Sequence, residues 1–157
     1  MENKVIIPFP QPGDYPAYYE DYLSHVDRDD DILQILEKQL TTVVVSLSAL
    51  TEEEQNFRYA EGKWSVKEVF GHCIDTERIF SYRALCFARG ETQPLPGYNE
   101  NEYTPAGRFG ERTIASLLRE FVALRGSNLE LFKSFSAEDV VKVNSIIYVS
   151  RDTYCII

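Results

Sequence analysis

Ser65-x-x-Glu68 is the strongest structural instruction in this chain. A Ser and a Glu three residues apart can cap each other's backbone N–H groups and start a helix. The segment that follows runs to Arg89 without proline and stops at Gly90. Advancing about 100° per residue puts Val66, Val69, Phe70, Cys73, Phe80, Ala84 and Phe87 on one face of that helix. Glu77 falls in the middle of the same face, where a lone charge is costly.

Two more stripes have the helical period. Ile32, Ile35, Leu36, Leu40, Val43, Leu47 and Leu50 define a first helix after the acidic run 27–31, which suits the positive end of the helix dipole. Ile114, Leu117, Leu118, Phe121, Leu129 and Phe132 define a third, starting near Thr113. Arg125 sits inside that last stripe. The sequence predicts that Glu77 and Arg125 meet across a bundle and fix its register; the alternative is that one of them snorkels out beside a loop.

Between the second and third helices, residues 91–110 contain three prolines and Gly97, Gly107 and Gly110. They read as a long ordered crossover loop, and loops of that length in compact domains are often functional. Ser136 to Asp139 reads as a short helical turn. Residues 143–149 read as extended, and Ser150 as the cap of a fourth helix. Residues 1–26 form a Pro/Tyr-rich arm expected to wrap the surface in extended form, with Phe9, Tyr15, Tyr18 and Tyr19 as anchors. Residues 27–157 form the helix-bundle domain. The expected fold class is therefore all-α, a four-helix bundle with a crossover connection.

Composition excludes some functions. The net charge is −9 and the sequence pI about 4.7, so a phosphate-tracking surface is disfavoured and no nucleic-acid partner is expected. No apolar run approaches the length of a membrane span, and the N-terminus lacks a secretory apolar core, so a cytoplasmic location is expected. Cys73, Cys86 and Cys155 form no CxxC pair and no disulfide framework; Cys73 and Cys86 read as small apolar residues in or near the core. Of the two histidines, His25 reads as an exposed loop residue. His72 lies on the flank of the second helix, beside Thr76, Ile79 and Arg83. A single histidine there is either a hydrogen-bonded structural residue or one ligand of a metal site, which needs three or four converging ligands. Asp75 and Arg83 are candidates for the wall of such a pocket.

The run Trp64-Ser65-x-x-Glu68-x-x-x-His72-x-x-Asp75-x-Glu77-Arg78 resembles the DinB-like superfamily. Phe80-x-Tyr82-Arg83-Ala84, the loop from Pro94 through Gly97-Tyr98-Asn99-Glu100-Asn101, and Phe121-x-Ala123-Leu124-Arg125 resemble its subgroup of metal-dependent hydrolases related to bacillithiol transferases. The resemblance implies a DinB-like four-helix bundle, a homodimer, and a divalent metal such as zinc or nickel. It implies three histidine ligands: one matched by His72, two from a His-x-x-x-His pair on the fourth helix. The implied substrates are a small-molecule thiol or an electrophile, with S-transfer or hydrolysis as the reaction. Residues 150–157 resemble the segment leading into that pair, and the sequence stops before it. The expectation is a fourth helix cut short, weak or absent metal, and a chain inactive as it stands. The alternative is a non-catalytic, dimerising helical-bundle protein in which His72 is structural.

Overall fold

A computed structural model describes residues 5–142. Its helices are α1 (Glu20–Leu23), α2 (Ile32–Ser48), α3 (Glu52–Asn56), α4 (Val66–Ala88), α5 (Glu100–Ala106) and α6 (Ile114–Lys133). Single 3-10 turns occupy Ala17–Tyr19, Phe109–Glu111 and Asp139–Val141.

The long helices begin where side chains can replace missing backbone partners. Asp31 accepts from the Leu33 and Gln34 amides at the head of α2. Ser65 and Glu68 form the reciprocal capping box of α4, and Thr113 accepts from Ser116 at the start of α6. Gly90 takes a positive φ of 80° just past the end of α4, a conformation glycine adopts without a Cβ penalty.

Helix α6 packs against both α2 and α4. Between them lies a core of Phe70, Ile74, Leu117, Leu118 and Phe121, sealed by Phe109 from the 3-10 turn and flanked by Val43 and Leu47 of α2. The Phe70 and Phe121 rings meet edge-on at 5.5 Å. A second cluster joins Val5, Leu33, Ala88 and Phe135. The N-terminal segment therefore enters the core through Val5, and Ala17–Leu23 is helical rather than extended throughout.

Three sequence expectations change. The 91–110 stretch is not all loop: Asn99 caps α5 through the Asn101 amide, and Pro105 near the end of this short helix removes only one donor. Thr51 and Glu54 build a second capping box and start α3, which the first stripe did not reveal. On α4 the buried line runs through Phe70, Ile74, Glu77 and Ser81, whereas Val69 and Cys73 are exposed. They line an apolar groove of about 650 Å³ with Val43, Leu47, Trp64 and Phe57. Cys86 is half-buried. The extended reading of 143–149, the Ser150 cap, the cut-short fourth helix and Cys155 lie outside the described residues.

Candidate metal and substrate site

The bundle's interior contains two polar enclaves, one built on Glu77 and Arg125 and one around His72. In the first, Arg125 grips Glu77 through Nε–Oε1 at 2.6 Å and Nη2–Oε2 at 3.0 Å. Asn128 donates to Glu77 Oε1 at 3.1 Å. Arg125 Nη1 donates to the Leu36 carbonyl and to Gln39 Oε1. Every strong group there has a partner, so this enclave ties α2, α4 and α6 together, as the stripe positions predict.

The second enclave surrounds His72. Capping sets Trp64 one residue before the α4 cap, and its ring centroid lies 5.0 Å from that of His72. One turn along α4, Thr76 Oγ1 lies 3.5 Å from His72 Nε2 and 2.7 Å from the Tyr98 hydroxyl. The crossover segment brings Tyr98 in, and Arg83 fastens that segment by donating to the Pro96 carbonyl at 3.0 Å. Helix α5 then packs on α4 with Glu100 and Thr104 buried. His72, Thr76, Tyr98, Glu100 and Thr104 are all at most 9% exposed.

Burial holds the His72 imidazole below its ordinary pKa, and the negative charge of Glu100 pulls it part of the way back. Burial thus favours the uncharged form of the ring. Among the described residues, Glu100 Oε2 and Thr104 Oγ1 have no hydrogen-bond partner.

The flank position of His72 is thus a covered one. Asp75 and Arg83, expected from the sequence as pocket wall, make their described polar contacts with other groups. Asp75 faces an ion network in which Arg78 and Arg112 both reach Glu120, at 2.7 and 2.6 Å. Burial raises the Asp75 carboxyl, and Arg78 partly offsets this. Arg83 clips the loop and does not line the enclave's polar centre. His25 is exposed in the turn before α2. Tyr98, Glu100 and Thr104 were not singled out from the sequence as site residues. The signal for Tyr98 and Glu100 was the 94–101 segment, whose proline and asparagine pattern gave a loop and hid the helix that carries Glu100 and Thr104.

A family model, that of the DinB superfamily, matches residues 35–146. This chain belongs to the DinB superfamily. A solved structure with the same fold is YfiT from Bacillus subtilis, described as a probable metal-dependent hydrolase with an unusual four-helix bundle topology. The match has a TM-score of 0.64 at 19% sequence identity and covers 71% of this chain. The chain spans 64% of the YfiT chain. No curated protein matches the sequence. The fold class is therefore an all-α bundle of the YfiT kind, and no helix among the described residues is long and apolar enough to cross a membrane.

The residues present fit a metal ion in part. A buried carboxylate oxygen with no hydrogen-bond partner among the described residues, on a helix packed against the one that carries the buried His72, is an arrangement that a cation would satisfy. Among the described residues, no group of three His, Cys, Asp or Glu side chains converges to hold an ion.

Proposed function

We propose that this chain is a metal-dependent hydrolase or thiol S-transferase of the DinB type, with His72 as a ligand to a divalent ion such as zinc or nickel. The observation that carries the reading is the buried imidazole of His72, set in a polar enclave of an otherwise apolar bundle. Trp64 against the ring and Thr76 beside Nε2 set the orientation of the imidazole. Tyr98 and the crossover segment shield the enclave from bulk water. A divalent ion, when bound, acts as a Lewis acid and lowers the pKa of a coordinated water or thiol. The apolar groove along α2 and α4 lies beside Trp64 and suits the body of a small thiol or electrophile. A cytoplasmic homodimer is the assembly this reading carries.

His72 is the one buried imidazole among the described residues, which implies weak retention of metal by this chain, with turnover correspondingly low. A second reading has its own support: Trp64 and Thr76 give His72 the contacts of a structural histidine, in a non-catalytic, dimerising bundle. Zinc and nickel content after purification separates the two. The metal reading expects bound or titratable metal in the wild-type chain and its loss in His72→Ala. Equal, near-zero binding in both proteins overturns it in favour of the second reading.

A further inference from the structure

Glu100 is the unexplained charge of this fold. The residue is 9% exposed, and its Oε2 has no hydrogen-bond partner among the described residues. Four residues further on, Thr104 is 2% exposed, and its Oγ1 is also unpartnered. Residues four apart share one helix face, so α5 presents two buried, unsatisfied oxygens together. Buried polar groups are normally hydrogen-bonded, and buried charges are paired or bound to metal.

Three basic side chains of α4 and α6 are committed elsewhere. Lys67 Nζ donates to the Gly110 carbonyl at 2.8 Å, Arg83 holds Pro96, and Arg125 holds Glu77. Helix α5 packs on α4, which contributes the buried His72 imidazole, and the charge of Glu100 acts on that ring. The Thr76–Tyr98 hydrogen bond pins the segment that enters α5 against the same turn of α4. A carboxylate, an imidazole and a hydroxyl on two facing helices form a lone-pair donor set with no cation of its own.

We propose that Glu100 and Thr104 are oxygen donors to the divalent cation bound by His72, so that α5 is the second wall of the metal site. This inference rests on the reading of His72 as a ligand and deepens it. Nitrogen from imidazole and oxygen from carboxylate together suit zinc or nickel, with the neutral Thr104 hydroxyl a weaker third donor and water completing the shell.

The test is titration of cobalt(II) into the full 157-residue chain, followed by calorimetry and by the visible absorption of the bound ion. The variants are His72→Ala, Glu100→Gln, Glu100→Asp and Thr104→Val. Loss of binding is expected in His72→Ala. Glu100→Gln should weaken binding roughly tenfold or more and shift the absorption bands. Glu100→Asp, which keeps the charge, should recover part of the affinity, and Thr104→Val should lose less than Glu100→Gln. The metal-free Glu100→Gln protein should melt at or above the wild-type temperature, because an unpaired buried charge has been removed. Wild-type affinity and absorption in Glu100→Gln overturn the proposal; if His72→Ala still fails to bind, the reading of His72 survives alone. If neither substitution changes binding, or the wild type binds no cobalt, both fall. A large fall in the melting temperature of metal-free Glu100→Gln also overturns the proposal, since Glu100 would then be a structural partner.

Discussion

Arg125 of α6 closes both carboxylate oxygens of Glu77 on α4, with side chains only 4% and 9% exposed. The pair is completed by Asn128 and by two acceptors on α2, so no charged atom of the guanidinium is left over. Removing one partner leaves the other charge buried and alone. Arg125→Ala or Glu77→Ala is expected to cost about 3–5 kcal/mol. Replacing both with apolar residues, Glu77→Leu with Arg125→Met, is expected to recover most of that loss. Urea denaturation of the three proteins checks this, and a double variant as unstable as the singles contradicts it.

Gly71 is the seat of Phe109. A Cβ built on Gly71 would stand 2.1 Å from Phe109 Cγ, an atom near the root of the side chain that cannot swing away without moving the 3-10 turn. Gly71→Ala is therefore expected to destabilise by at least about 1–3 kcal/mol through overpacking, despite the better helix propensity of alanine. The Phe109→Ala background should weaken or abolish this penalty, because the two residues are in direct contact. Equal penalties in both backgrounds would show that the clash is not the cause.

Acid should loosen the α4–α6 contact. Burial acts to raise the Glu120 carboxyl, but hydrogen bonds from Arg78 and Arg112 outweigh it and hold the group below its ordinary value of 4.5. A carboxyl depressed in the folded state adds stability above its unfolded pKa and loses it as pH falls through the folded one. Stability should therefore decline as the pH drops below 4.5, and Glu120→Gln should flatten part of that decline while lowering stability near neutrality. Urea midpoints measured from about pH 7 to about pH 3 test the sign. Parallel curves for the two proteins would remove Glu120 from the account.

Local rules read well where one residue's neighbours in sequence decide its role. The Ser65–Glu68 box, the Asp31 and Thr113 caps and the Gly90 stop all depend on contacts within one turn. The Glu77–Arg125 pair was also legible, because each charge broke an apolar stripe and only an opposite charge could answer it. Surface position was less legible. Val69 and Cys73 share the helical period of Phe70, yet they open onto a groove, since the stripe of α4 is wider than the face that α6 covers. Lys67 looks like a solvent residue in the sequence and is 7% exposed, because its ammonium reaches the Gly110 carbonyl across the bundle. The candidate site was less legible. His72 stood out by its position on the helix flank, but Tyr98, Glu100 and Thr104 are brought onto α4 by a chain crossing whose path no helical period encodes. Pro105 reads as a breaker; in a helix of seven residues it is a minor loss.

Helix α5 has a consequence for local stability. Seven residues are too few for a helix to persist alone in water, so α5 exists only while docked on α4. The core around Phe70, Ile74 and Leu117 does not depend on it to the same degree, since α6 and α2 hold that core from other sides. Undocking of α5 with the preceding segment is thus a local opening available at far lower free energy than global unfolding. Amide hydrogen exchange in α5 is therefore expected to be faster than in α4 and α6, and equal protection in all three would show that α5 opens only with the whole bundle.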